Sequence, residues 1–132
     1  MPKLVKATVA VIVGLAMWFA IATILNLLLR ALLPGYQAVE KSMSFSLVML
    51  VARLALGLAG CLCAGWACAL IWRGSAIPAY VLSLLLLALF APVHVSLWNE
   101  FPIWYHAFFL ITLVPTTLLG FKLRSSPLEK AA

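Results

Sequence analysis

The residues most able to do chemistry lie in one stretch, PVHVSLWNEFPIWYH, from Pro92 to His106. It holds both histidines of the chain, His94 and His106, and one of its three acids, Glu100. Two imidazoles at similar depth on neighbouring helices can be paired axial ligands to a haem, which a small helical bundle can enclose. No C-x-x-C-H motif accompanies them. His94, Glu100 and His106 are also metal-ligand types, but their spacing fits no ligand motif and Pro102 fixes the chain between them. A third possibility is a proton- or anion-handling cluster, with Arg53 paired to Glu100 and a histidine titrating near neutral pH. The fourth and leading reading is anchoring. Trp98, Phe101, Trp104 and Tyr105 suit an aromatic belt at a headgroup boundary. Asn99 and Glu100 suit a helix start, where backbone N–H groups are free and the dipole is positive. On this reading the chain needs no cofactor and binds no metal.

Cys61, Cys63 and Cys68 form no second site. They lie in one apolar run with no histidine or acid interleaved and no C-x-x-C spacing, whereas zinc needs convergent thiolates or imidazoles. They are read as small packing residues.

The elements that position these groups follow from composition. The chain has 132 residues, 67% of them hydrophobic and only 9% charged. A water-soluble domain carries about 25% charged residues, so the solvent here must be largely lipid. The net charge of +6 does not indicate nucleic-acid binding, because the basic residues are scattered at the ends of apolar runs and form no patch. No Asp is present, and no usable Ser, Asp and His set exists for a hydrolase, so no enzyme activity is expected.

Four apolar runs are each close to the ~20 residues needed to cross ~30 Å of hydrocarbon. In lipid the backbone must satisfy its own hydrogen bonds, so the runs are helices. The spans are placed at about 7–32, 44–72, 76–97 and 101–122, within one domain of residues 1–124 followed by a short polar tail, 125–132. The fold class is therefore all-α: a four-helix transmembrane bundle of antiparallel hairpins. Pro34 and Gly35 stop the first helix, Ser42 or Ser44 caps the second, Ser75 caps the third with Pro78 in its first turn, and Pro102 opens the fourth. The first run is too long for a signal peptide and lacks a cleavage site, so it is retained. Lys3, Lys6, Arg73, Lys122, Arg124 and Lys130 fall on one side, Arg30 and Lys41 on the other. That bias puts both termini in the cytoplasm.

On the second span, Ser46, Leu50, Arg53, Gly57, Gly60, Ala64 and Cys68 share a stripe, flanked by Cys61 and Gly65. Leu54, Leu58, Leu62, Trp66 and Leu70 form a bulky stripe suited to acyl chains. Small residues let helix backbones approach, so Gly57, Gly60, Cys61, Ala64 and Cys68 are the expected packing face. Arg53 lies on it. A helix starting near Ser44 places Arg53 about 13 Å inside, where its stem can snorkel to headgroups or pair within the bundle. Asn26, Arg30, Arg53, His94, Asn99, Glu100 and His106 all reach the outer third of the bilayer, a candidate polar cluster at one level. The inner half offers only Ser83, Thr116, Thr117 and the cysteines.

The strings LNLLLRALLPGY, ARLALG and PVHVSLWNEFPIWYH together resemble a group of small four-span bacterial inner-membrane proteins with no assigned activity. The resemblance covers most of the chain. It implies bacterial origin, an inner-membrane location and four helices, and it carries no site residue over. The leading functional expectation is a non-enzymatic membrane protein, partnered by the lipid bilayer and by a second copy or a larger membrane complex. The alternatives are a transporter or channel for a small solute or proton built on the cluster around Arg53, and a haem or metal redox protein using His94 and His106.

Overall fold

The computed structural model describes residues 2–125. The tail from residue 126, with Lys130, lies outside the described residues. The chain is all-helical, with no strand among the described residues. Its elements are α1 (Lys3–Leu32), a one-turn α2 (Tyr36–Val39), α3 (Leu47–Ile71), α4 (Ile77–Ser96) and α5 (Ile103–Arg124). The four long helices are each long and apolar enough to cross a membrane, which suggests a multi-pass membrane protein. Their outward faces agree: Ile77, Val81, Leu84 and Leu89 on α4 and Ile103 and Ile111 on α5 are exposed, a continuous greasy surface that a protein in water would not leave bare.

The helix ends follow local chemistry, with some differences from the sequence expectation. α1 starts at Lys3, so both N-terminal lysines are helical. The cap of α3 is Ser46, whose hydroxyl accepts from the Met49 N–H at 3.4 Å. Ser42 and Ser44 instead donate to the Val39 and Ser42 carbonyls in the connection. Ala76, not Ser75, precedes α4. The Ser75 carbonyl accepts from the Trp72 indole at 3.0 Å, which closes the short turn. α2 has no counterpart in the sequence reading. It forms because Pro34 ends α1 and Gly35, at φ 78°, takes the left-handed conformation that glycine adopts without strain.

α3 is the central element, packed along α1 on one side and α5 on the other, while α4 lies more loosely against α5 and α1. Gly57, Gly60, Cys61, Ala64 and Cys68 are all buried. Two glycines set the tightest approach. A Cβ on Gly65 would run into the Thr117 backbone, and a Cβ on Gly120 into the Leu62 carbonyl. The buried arc of α3 is wider than a single stripe. Leu54, placed toward lipid by the sequence pattern, is buried, because α3 is gripped on two sides.

Candidate functional site

Two polar arrangements occupy the end of the structure where α1 runs into α2. The first is built on Arg53, seven residues beyond the Ser46 cap, about 10 Å along α3 at 1.5 Å per residue. Its Nη1 donates to the Tyr36 hydroxyl at 2.7 Å. Tyr36 in turn donates to Asn26 Oδ1 at 2.8 Å. The tyrosine is fully buried, carried there by the Pro34–Gly35 turn. The guanidinium lies over the Phe45 ring, 4.6 Å from its centroid, a favourable cation–π placement. Phe45 stacks between Tyr36 at 5.3 Å and Phe101 at 6.0 Å. One aromatic ring, itself held between two others, thus covers a partly buried cation. Arg53 forms no ion pair with a described carboxylate, and its Nε–H is buried without a partner.

The second arrangement is a histidine pair. His94 on α4 and His106 on α5 meet Nδ1 to Nδ1 at 2.7 Å, rings nearly perpendicular. A bond of that kind needs one Nδ1 protonated and one bare, so the two rings share a proton between opposite tautomers. His106 is fully buried, stacked at 4.8 Å on Trp98, and its Nε2 has no partner. His94 stacks on Phe109 at 4.9 Å. Two metal–nitrogen bonds in line would separate these atoms by about 4 Å, at roughly 2.0 Å each. As placed, the imidazoles bind each other, and a haem iron between these nitrogens does not fit. Among the described residues no three His, Cys, Asp or Glu side chains converge as metal ligands. The cysteines are free, with Cys61 and Cys68 buried.

The candidate cluster therefore divides. Asn26 and Arg53 join through Tyr36, and His94 joins His106. Arg30 goes elsewhere, with Nε and Nη2 donating to the two carboxylate oxygens of Glu40 at 2.7 and 2.9 Å. Asn99 and Glu100 are exposed in the turn before α5, and Glu100 does not reach Arg53. Tyr36 and Glu40 were missed by sequence reasoning. The one available signal for Tyr36 was its place directly after Pro34–Gly35, where a reversed chain folds an aromatic ring back onto the helix ends.

Hydrogen bonding to Arg30 holds the Glu40 carboxyl below the usual carboxylate range, helped by the Arg30 and Arg53 charges against partial burial. A lowered folded-state pKa contributes stability above the unfolded value, about 4.3, that is lost as pH falls through the folded one. The pair is exposed, so the effect is small. Thermal melts in detergent between pH 6 and 3 are expected to show a slight acid destabilisation that Glu40→Gln removes. An unchanged acid limb in that variant would show that another carboxylate is responsible.

The two arrangements share a cavity of about 340 Å³, within the range of small-molecule sites, ~300–1,000 Å³. Asn26, Arg53 and His94, with Thr23 and Tyr105, supply its polar wall, and Trp18, Phe90 and Phe109 its aromatic one. Exposed Phe19 and Thr23 on α1 and Val93 on α4 also line it, which puts its mouth on the loosely packed α1–α4 seam. The Trp18 indole N–H lies against Gly60, buried and without a hydrogen-bond partner. Compared with protein-family models, with curated proteins and with solved structures, the chain matches none.

Proposed function

We propose that the protein is a non-enzymatic, multi-pass protein of a bacterial inner membrane that binds a small amphipathic molecule, taken from the lipid phase, in the cavity between α1 and α4. The observation that carries this reading is the cavity itself: greasy and aromatic on most of its wall, lined by a partly buried arginine, and open on a helix seam rather than on a loop. A small lipid-derived molecule matches that combination of surfaces. The self-association reading rested on the small-residue face of α3, and that face is covered by α1 and α5.

The orientation belongs to the same proposal. Gly14 lies by Ala64 while Trp18 lies by Gly60, a register that runs in opposite directions on α1 and α3. Phe90 meets Phe109 while His94 meets His106, with the same sense for α4 and α5. These pairs support antiparallel hairpins, and the excess of Lys and Arg beside the chain ends supports cytoplasmic termini.

Two measurements check it. A fluorescent protein fused at the C-terminus is expected to fluoresce, and alkaline phosphatase at the same site to stay inactive. Native mass spectrometry of the purified protein is expected to show a retained adduct of lipid-like mass that Ala22→Phe, which fills the cavity, abolishes. Active phosphatase would reverse the orientation. A protein free of adducts whatever stands at residue 22 would remove the binding role.

A further inference from the structure

We infer that the molecule held in this cavity carries one anionic headgroup, a carboxylate or a phosphate, seated between Arg53, Asn26 and His94, with its hydrocarbon part leaving between α1 and α4. This rests on the cavity reading above and adds the charge.

Arg53 keeps its charge at every accessible pH. A charge withdrawn from water is normally paired. Here the guanidinium's neighbours are neutral: the Tyr36 and Tyr105 hydroxyls and the Phe45 ring. The carboxylate within reach of that end of the structure, Glu40, is occupied by a two-point contact with Arg30, and Glu100 is exposed. Among the described residues Arg53 thus has no ion-pair partner, feeling Glu40 only through its field, and its buried Nε–H has no acceptor.

The neighbouring wall groups are donors too. Asn26 Oδ1 accepts from Tyr36, which turns the donating end of that amide away from the tyrosine. His94 uses Nδ1 on His106. Stranding an N–H at the buried, unpartnered Nε2 of His106 is costlier than stranding a lone pair, since orphaned buried N–H groups are the rarer kind. The favoured tautomer therefore has His106 donating from Nδ1 and His94 carrying its proton on Nε2. Arg53, Asn26 and His94 line the same cavity, so its polar wall offers three N–H donors beside the Thr23 and Tyr105 hydroxyls. An anion's oxygens fit such a wall, and charge-assisted bonds of this kind are the strong ones. Phe19, Phe90 and Val93 provide the apolar path out to the seam.

The test is equilibrium binding of labelled oleic acid, lysophosphatidic acid and methyl oleate to the protein in nanodiscs of phosphatidylcholine, with inorganic phosphate as a soluble competitor. Oleate or lysophosphatidate is expected to bind about tenfold or more tightly than methyl oleate, and whichever binds better names the headgroup. Arg53→Gln is expected to abolish that preference and Arg53→Lys to keep most of it. Should Arg53→Gln fail to fold, the acid-to-ester ratio on the unaltered protein, and its reduction in Asn26→Ala, decide the matter. Equal binding of acid and ester, both lost in Ala22→Phe, overturns the anionic headgroup and leaves the cavity reading intact. Displacement of oleate by millimolar phosphate overturns the amphiphile and points to a free anion. Binding of none of the three lipids overturns both inferences.

Discussion

Gly65→Ala and Gly120→Ala are each expected to destabilise the protein by about 3 kcal/mol, the upper end of ordinary overpacking. The reason is what the added methyl would meet. At Gly65 it is the backbone of Thr117 and Phe121, and at Gly120 the backbone of Leu62. Backbone on a helix cannot swing aside, so α3 and α5 must move apart along their length. Gly57 and Gly60 are different. There the obstacle is a side chain, the Phe109 ring and the Trp18 indole, which can tilt, and the expected cost is about 1 kcal/mol. Unfolding in mixed micelles, followed by circular dichroism, orders the four variants. If Gly57→Ala proves as costly as Gly65→Ala, the tight crossing is not where these contacts place it. In lipid, where burying apolar surface gives little drive between helices, close packing carries most of the association, so such crossings dominate stability.

Tyr36→Phe is expected to cost about 1–2 kcal/mol, and Arg53→Leu in the same protein to restore much of it. Interhelical hydrogen bonds in membranes average about 0.6 kcal/mol and reach about 1.7 in measured cycles. The upper end applies because the tyrosine oxygen accepts from a charged donor and its proton serves Asn26, so one deletion strands groups on both sides. Removing the charge as well leaves less to satisfy. A double-mutant cycle reads this directly. Additive losses in the two single variants and the double variant would mean that the short contact contributes nothing.

The four long helices were legible because bilayer thickness fixes their length and lipid forbids unpaired backbone. That Arg53 shares a side of α3 with Gly57 and Gly60 was also legible, since small residues mark the packed face, but whether its stem snorkels outward or pairs inside was left open. Its partner was not legible. Glu100 was the obvious counter-charge by depth, but the turn carrying it faces outward, and the true neighbour, Tyr36, depends on a left-handed glycine reversing the chain after Pro34. Equal depth brought His94 and His106 to attention, yet whether two rings at one level touch is set by helix rotation, which no apolar run encodes. Gly120 gave no signal because a lone glycine near a helix end has many uses. Gly65 was seen only as a flank, because the pattern was read for one neighbour and α3 has two.

The order of Arg53's neighbours along the chain has a bearing on biogenesis. Tyr36 and Phe45, with Asn26 behind the tyrosine, come before residue 53, while Tyr105 comes after it, so the ribosome has already delivered the first three when the arginine reaches the translocon. Chains assemble from the N-terminus as they are made. The first hairpin can therefore shelter much of its own cation during insertion, before the second pair of helices brings Tyr105.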